Sequence, residues 1–290
     1  MRKLAGFETK PVSNFVSAAS YPDDAVRWEQ FVSSVRSIPV LAESVYQLSN
    51  LLMVNPVDLS AVGRVIRIDL GLAAQVLKLV NSGASDVPVH DLEYATVHLG
   101  IDPLRALILT VPVLSSDGPD PVLRLWKHSL QCAEVCEWLA RRTEYDFSDR
   151  AYIAGLLHDL GRVPLIAWQL ATTRDERIDL VTALPDFEDK TFGVNHQVIG
   201  GWMAVTWNLP DFLIHVLENH HSRPVTGDSL LLQVVRAADS FCNREQYRLE
   251  DLELIQSLSG FTSQLDGQEL FAELCESFPF GENLCEKASV

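Results

Sequence analysis

Apolar residues recur three and four positions apart along most of the chain, and the period-two alternation of a half-buried strand is scarce. This spacing predicts helices that each bury one face. Trp28, Phe31, Val32 and Val35 form the first stripe. Pro39 opens a second helix with Leu41, Val45, Leu48 and Leu52 facing inward. Asn55-Pro56 breaks the chain, and Asp58 is placed to cap a helix running through Val62 and Val65. Residues 70–80 form a strongly apolar helix that stops at Asn81-Ser82-Gly83, and residues 91–99 a short one ending at Gly100. Asp102-Pro103 supplies a cap and a favourable first position for the next. Further helices are predicted over residues 122–142 and, capped by Ser148, up to residue 160. Others run from Asn195 or His196 to just before Leu209-Pro210, from Asp211 to His220-His221, and from Ser229 through Asp239. The predicted fold class is all-α.

The run Ser115-Ser116-Asp117-Gly118-Pro119-Asp120-Pro121 is the clearest linker and marks a boundary between subdomains. The chain divides into an N-terminal tail (1–23), a first helical lobe (24–118), a second lobe (119–244) and a C-terminal segment (245–290). That last segment holds ten acidic residues against Arg248 and Lys287. Amphipathic spacing at Leu249, Leu252 and Ile255, and at Leu270, Phe271 and Leu274, predicts two short helices with an acidic outer face.

Charge narrows the choice of partner. With 23 basic and 39 acidic residues the net charge is −16, which argues against a broad contact with a nucleic-acid duplex. A small phosphate pocket remains compatible, because one Arg or a metal dominates its field locally. The N-terminus lacks the apolar run of a signal peptide, and the most apolar stretch, residues 104–114, is too short to span a bilayer. The expectation is a cytoplasmic protein without a membrane partner. The five cysteines, with no C-x-x-C pair, read as small buried hydrophobes in a reducing compartment. Cys132 and Cys136 share one helix face, yet no further spacing matches a zinc finger.

The chemistry lies in polar residues at apolar positions. His128 shares a helical face with Leu125, Cys132 and Val135. His158-Asp159 sits against Leu156, Leu157 and Leu160, where an ionised carboxylate is costly unless a metal, a His or an Arg pairs with it. His196 stands at a helix start, His220 continues the stripe of Leu213, Val216 and Leu217 beside His221, and Asp239 lies on the face of Leu232, Val235 and Cys242. His90 and His98 have no such companions. Convergence of these side chains in the middle of a bundle would build a nitrogen and oxygen metal site. One or two divalent ions, iron, manganese, zinc or nickel, suit that set.

The order His128, His158-Asp159, His196, His220-His221, Asp239 resembles the HD superfamily of metal-dependent phosphohydrolases, and residues 154–162 (Ala-Gly-Leu-Leu-His-Asp-Leu-Gly-Arg) look like its signature. In the first half, Ile38-Pro39-Val40-Leu41, Ile68-Asp69-Leu70-Gly71-Leu72, Leu77-Lys78-Leu79-Val80-Asn81-Ser82 and Ala95-Thr96-Val97-His98-Leu99-Gly100 resemble HDOD domains, as does Trp126-Lys127-His128-Ser129. The likeness covers residues 28–244. It implies a two-lobed helical bundle with an HD-like second lobe, and a role in bacterial signalling or regulation. His128, His158, Asp159 and Asp239 would then hold one metal, and His196, His220 and His221 a second, with Asp159 bridging.

Two departures matter. Related cyclic di-GMP phosphodiesterases carry a Lys where this chain has Arg162, and a Gly-Tyr-Pro motif where it has Ser222-Arg223-Pro224-Val225. Both argue against cyclic di-GMP hydrolysis. Arg124 stands where three-metal relatives place a carboxylate, so a third metal has no support. The resemblance implies a regulatory protein acting through signalling proteins in trans or a small phosphate-containing ligand. The alternative it implies is a phosphohydrolase of nucleotides or other phosphate esters, with Asp159 at the metal and Arg162 clamping phosphate.

Overall fold

The computed structural model describes residues 25–83, 88–114, 120–143, 147–172, 178–225, 227–243, 273–274 and 276–278. The first lobe contains α1 (Ala25–Ser34), β1 (Val40–Leu41), α2 (Ala42–Met53), α3 (Leu59–Arg67), α4 (Leu70–Asn81), α5 (Leu92–Leu99), α6 (Ile101–Thr110) and β2 (Val113–Leu114). The second contains α7 (Asp120–Ala140), α8 (Ser148–Leu157), α9 (Arg162–Thr172), α10 (Pro185–Phe192), α11 (His196–Thr206), α12 (Asp211–Asn219) and α13 (Leu230–Cys242). Among the described residues the protein is helical apart from one pair of two-residue strands, in agreement with the helical periodicity.

Local chemistry sets the helix starts. Asp58 accepts from the backbone N–H of Ser60 and Ala61, Asp91 from Tyr94, Asn195 from Val198 and Ser229 from Leu232. Each satisfies donors that a helix N-terminus leaves free. The Pro39 region differs from expectation. Val40 and Leu41 pair in parallel with Val113 and Leu114, and α2 begins only at Ala42. The reason is that their N–H groups go elsewhere: Val40 donates to the Pro112 carbonyl at 3.0 Å and Leu41 to Asp69 Oδ2 at 2.9 Å. Likewise α6 starts at Ile101, behind Gly100 at φ 74°, so Asp102 lies inside its first turn rather than capping it.

The segment at Ser148 also differs: Ser148 is the first residue of α8 rather than its cap, the N-cap position being Phe147 without a side-chain hydrogen bond. α8 ends at Leu157, a turn carries residues 158–161, and α9 follows. α9 left no stripe because residues 162–167 are all buried, so its apolar character is not confined to one face. α10 is dominated by polar residues. Residues 115–119 of the linker lie outside the described residues, as do those of the helix expected near 249–255. Of the acidic segment, Leu274 is buried, Glu273 pairs with Arg142 at 2.7 Å, and Phe278 packs edge-on to Trp138.

One buried apolar core runs from Trp28 to Leu274 through both lobes. The long α7 packs on α8 and α13, while α4 leans on α7 and α8. α1 packs on α11, and Trp28 Nε1–H donates to the Phe192 carbonyl at 3.0 Å. The lobes are further joined by the Tyr152 hydroxyl on the Arg67 carbonyl (2.9 Å) and by Arg67 on Glu137 (2.6 Å). Among the described residues no helix is long and apolar enough to cross a membrane.

Candidate metal centre

A turn at residues 158–161 joins α8 to α9, and Gly161 lets it lie against α11. A Cβ there would collide with the His196 carbonyl. The absence of a side chain therefore lets this turn touch the first residue of α11. Around it, α7 supplies His128, α11 His196, the C-terminal end of α12 His220 and His221, and α13 Asp239. His158, Asp159, His196 and His220 are buried, as are His128 and Asp239, while His221 is slightly more open. All seven residues anticipated as ligands are brought together. His90 and His98 are not: His90 accepts from Arg150 Nε at 3.0 Å, and His98 stacks on Tyr94.

The donors form two groups of four, His128 with Cys132, His158 and Asp239, and Asp159 with His196, His220 and His221. In the first, His128 Nε2 lies 3.4 Å from His158 Nε2 and 3.1 Å from Asp239 Oδ1, and His158 Nε2 is 3.5 Å from the same oxygen. In the second, His196 Nε2 and His220 Nε2 are 3.1 Å apart, and Asp159 Oδ1 lies 3.4 and 3.5 Å from them. The other oxygen of Asp159 faces the first group, 3.6 Å from His128 Nε2 and 3.4 Å from His158 Nε2. One carboxylate thus spans both groups.

Ring tautomers follow from the outer partners. Nδ1 of His158 faces the Gly155 carbonyl at 2.7 Å, Nδ1 of His220 the Val216 carbonyl at 3.1 Å, and Nδ1 of His196 faces Glu188 Oε2 at 2.5 Å. A carbonyl only accepts, so Nδ1 carries the proton and Nε2 turns an unshared pair inward. Such outer acceptors are the usual support of metal-ligating imidazoles. The consequence in the second group is that His196 Nε2, His220 Nε2 and Asp159 Oδ1 are three acceptors facing one another. Asp159 Oδ1 and His221 Nε2 are moreover buried without an aligned hydrogen bond among the described residues. Unpaired buried acceptors are costly, and a cation relieves all of them at once.

The protonation states of the second group suit such a cation. In the first group burial pushes the His158 imidazole down, but Asp159 and Asp239 outweigh it and hold it well above the usual histidine range, so an ion there has to displace its proton. Burial, reinforced by Arg162 and other charges, holds the His196 imidazole well below the usual histidine range, and burial with His220 does the same for His221. Burial pushes Asp159 upward, but Arg162 and His158 outweigh it and hold the carboxyl well below the ordinary carboxylate range. Asp239 is likewise held low against burial by His128 and His158. Ligands of a divalent ion must be neutral imidazoles and ionised carboxylates. The residues present therefore fit a metal.

Arg162 is buried behind this layer rather than facing into it. Its Nε stands 2.8 Å from Asp159 Oδ1, NH1 contacts Glu188 Oε1 at 2.7 Å and the Leu180 carbonyl, and NH2 the Ala183 carbonyl at 3.1 Å. Glu188 also accepts from the His196 backbone N–H at 2.8 Å. Burial pushes Glu188 up to about 7 against the pull of Arg162. Two residues of the site were not read from the sequence. Glu188 lies on a helix whose polar composition hid it, although its i,i+4 spacing to the apolar Phe192 was a signal. Cys132, read as a small hydrophobe, puts its sulfur 3.5 Å from His128 Nε2.

Comparison with known proteins places the fold. The HDOD domain family model matches residues 38–223. An uncharacterized protein of Treponema pallidum is 29% identical over 203 residues, which are 66% of this chain and 39% of that protein. Ribonuclease Y of Lawsonia intracellularis is 26% identical over 183 residues, 63% of this chain and 28% of that enzyme. The chain thus matches well under half the length of these curated relatives. The crystal structure of the MmoQ response regulator from Methylococcus capsulatus superposes with a TM-score of 0.64 at 16% identity, covering 82% of this chain and 97% of that one. A virulence factor of Campylobacter jejuni gives 0.63 at 17% identity, over 86% and 96%. At these identities the likeness to solved structures speaks for the fold alone.

Proposed function

The chain belongs to the HDOD domain family, and we propose that it is a regulatory protein whose second lobe binds one or two divalent metal ions. The observation that carries this reading is the convergence of His196 Nε2, His220 Nε2 and Asp159 Oδ1 in a buried space where Asp159 Oδ1, although Arg162 Nε stands 2.8 Å away, has no aligned hydrogen bond among the described residues. His128, His158, Asp159 and Asp239 would hold one ion, and Asp159, His196, His220 and His221 the other. When bound, the metal supplies concentrated positive charge and Lewis acidity toward a phosphate oxygen or water. The protein supplies fixed rings and, through Glu188 and the Gly155 and Val216 carbonyls, the tautomers that keep Nε2 available.

The regulatory role rather than catalysis is supported by Arg162. Its guanidinium balances Asp159 and Glu188 and is capped by two carbonyls. A phosphate clamp would need those contacts released. Output would pass to signalling proteins or respond to a small phosphate-containing ligand in the cytoplasm, where buried thiols stay reduced. The test is elemental analysis of untagged protein and of Asp159→Ala. One or two iron, manganese, zinc or nickel ions per chain, lost in the variant, is the expected result. Equal metal in both, or none in either after anaerobic loading, overturns the metal reading.

A second reading, a phosphohydrolase of nucleotides or other phosphate esters, is favoured by Asp159 presenting one oxygen to each donor group. Metal-loaded protein would then turn over p-nitrophenyl phosphate, nucleoside monophosphates or, given the relative named Ribonuclease Y, single-stranded RNA. Turnover unchanged by Asp159→Ala would belong to a contaminant.

A further inference from the structure

We infer that Cys132 is itself a metal ligand, so that the first donor group is a mixed imidazole, carboxylate and thiolate site that selects zinc. The inference rests on the metal reading above and concerns which donors complete one of its two groups. Four atoms are in play: His128 Nε2, His158 Nε2, Asp239 Oδ1 and Cys132 Sγ, all within 4.8 Å of one another.

Zinc bonds nitrogen at about 2.0–2.1 Å, carboxylate oxygen at about 2.0–2.2 Å and sulfur at about 2.3 Å, usually in a tetrahedron. At the tetrahedral angle those lengths require edges of about 3.4 Å between two nitrogens or nitrogen and oxygen, and about 3.6 Å between nitrogen and sulfur. The edges in the protein are 3.4 Å for His128 to His158, 3.1 and 3.5 Å for the imidazoles to Asp239, and 3.5 Å for His128 to the Cys132 sulfur. Those four edges match donors around one small ion, and the sulfur's remaining two, to His158 Nε2 and Asp239 Oδ1, are within 4.8 Å.

The sulfur is also held in place. His128 and Cys132 are one turn apart on α7 and share a face. Behind them Gly155 of α8 lies so close that a Cβ would stand 2.7 Å from the Cys136 sulfur and 2.8 Å from the Cys132 carbonyl. The helix that delivers His158 is therefore pressed against the backbone that delivers Cys132, which fixes their relative position. Burial, with Cys242 three residues beyond Asp239 on α13, holds the Cys132 thiol well above the usual thiol range, so a metal binding there has to displace its proton. Asp159 Oδ2 also reaches the two imidazoles, at 3.6 and 3.4 Å. Its other oxygen is engaged with the second group and with Arg162, so in this assignment Asp159 belongs to the second group and Cys132 takes the fourth place in the first. Thiolate favours zinc over manganese, which suits oxygen ligands.

The test replaces the metal of the full-length protein with cobalt(II) and reads the near-ultraviolet sulfur-to-cobalt charge-transfer band. Wild type should show it, and so should Cys136→Ser and Cys242→Ser. Cys132→Ser should still bind cobalt but lose the band, and its preference for zinc over manganese should narrow in competition. X-ray absorption of zinc-loaded wild type should show one sulfur at about 2.3 Å, a readout that does not depend on any variant folding. Stoichiometric cobalt without the band, a band that survives Cys132→Ser, or zinc with no sulfur neighbour would each overturn the assignment while leaving the metal reading intact. A wild-type chain that takes up no cobalt or zinc would overturn both.

Discussion

Asp69 in the first lobe and Asp159 in the second are both almost sealed from solvent, at 0% and 1% exposure, yet their surroundings are opposite. Asp69 is ringed by donors. Its Oδ1 accepts from the N–H of Gly71 (2.8 Å) and Leu72 (3.1 Å) and from Trp126 Nε1 (3.3 Å), and its Oδ2 from Leu41 (2.9 Å). It caps α4, fixes the strand pair and ties α7 to the first lobe. Asp159 instead faces four imidazole nitrogens at 3.4–3.6 Å, with Arg162 as its counter-charge. A carboxylate whose lone pairs are filled by N–H groups serves structure. Asp159 Oδ1, which has no aligned hydrogen bond among the described residues despite Arg162 at 2.8 Å, has the surroundings expected of a metal ligand.

That contrast can be broken experimentally. The largest effect is expected from Asp69→Ala, which removes a cap and leaves several buried N–H groups unpaired, costing about 3–5 kcal/mol in denaturant unfolding. Its metal content, measured under conditions where it is folded, should equal that of wild type. A fall in metal would show that the two aspartates are not separable. Chelation comes next. Metal at about a hundred times its dissociation constant stabilises the fold by about 2.7 kcal/mol, so a chelator should lower the melting temperature of wild type and of no variant that has already lost Asp159.

A sharper probe is Glu188→Gln, which touches no ligand atom of the metal but loosens the ring of His196 and leaves Arg162 with one carboxylate. Metal affinity should fall about 10–100-fold, read by competition with a fluorescent chelator. An unchanged affinity would make Glu188 only a partner of Arg162. The smallest effect concerns pH. Burial raises the Asp69 carboxyl above its ordinary value against hydrogen bonds from Ser44 and the backbone. A raised acid contributes its stability in full below the unfolded value, about 3.9, and loses it as pH climbs through the folded one. Relative to Asp69→Asn, wild type should therefore gain melting temperature as pH falls from neutral toward 4.5. A constant gap would mean that the hydrogen bonds cancel burial.

The helices that carry the site were legible because their stripes are simple: Leu213, Val216, Leu217 and His220 occupy one face, and so do Leu125, His128 and Cys132. A polar residue on such a stripe announces itself by cost alone. α9 was illegible because residues 162–167 are buried on every side, and α10 because it contributes mainly polar residues, one of which happens to be Glu188. Arg162 was legible as a positive charge but not as a committed one, since its acceptors lie at residues 180, 183 and 188.

The sequence by itself determined the all-helical class, the cap at Asp58, and the set of inward histidines and aspartates, because these depend on spacing within one turn. Only the tertiary structure decided which atoms meet: that Asp159 spans two groups, that Glu188 faces the His196 Nδ1, that Arg162 is committed to Asp159 and Glu188, and that a cysteine sulfur lies beside the first group. The physical reason is range. Helix formation is settled by neighbours three and four residues away, whereas a ligand field is settled at a few ångströms between side chains as many as 111 residues apart, His128 and Asp239 being the extreme pair.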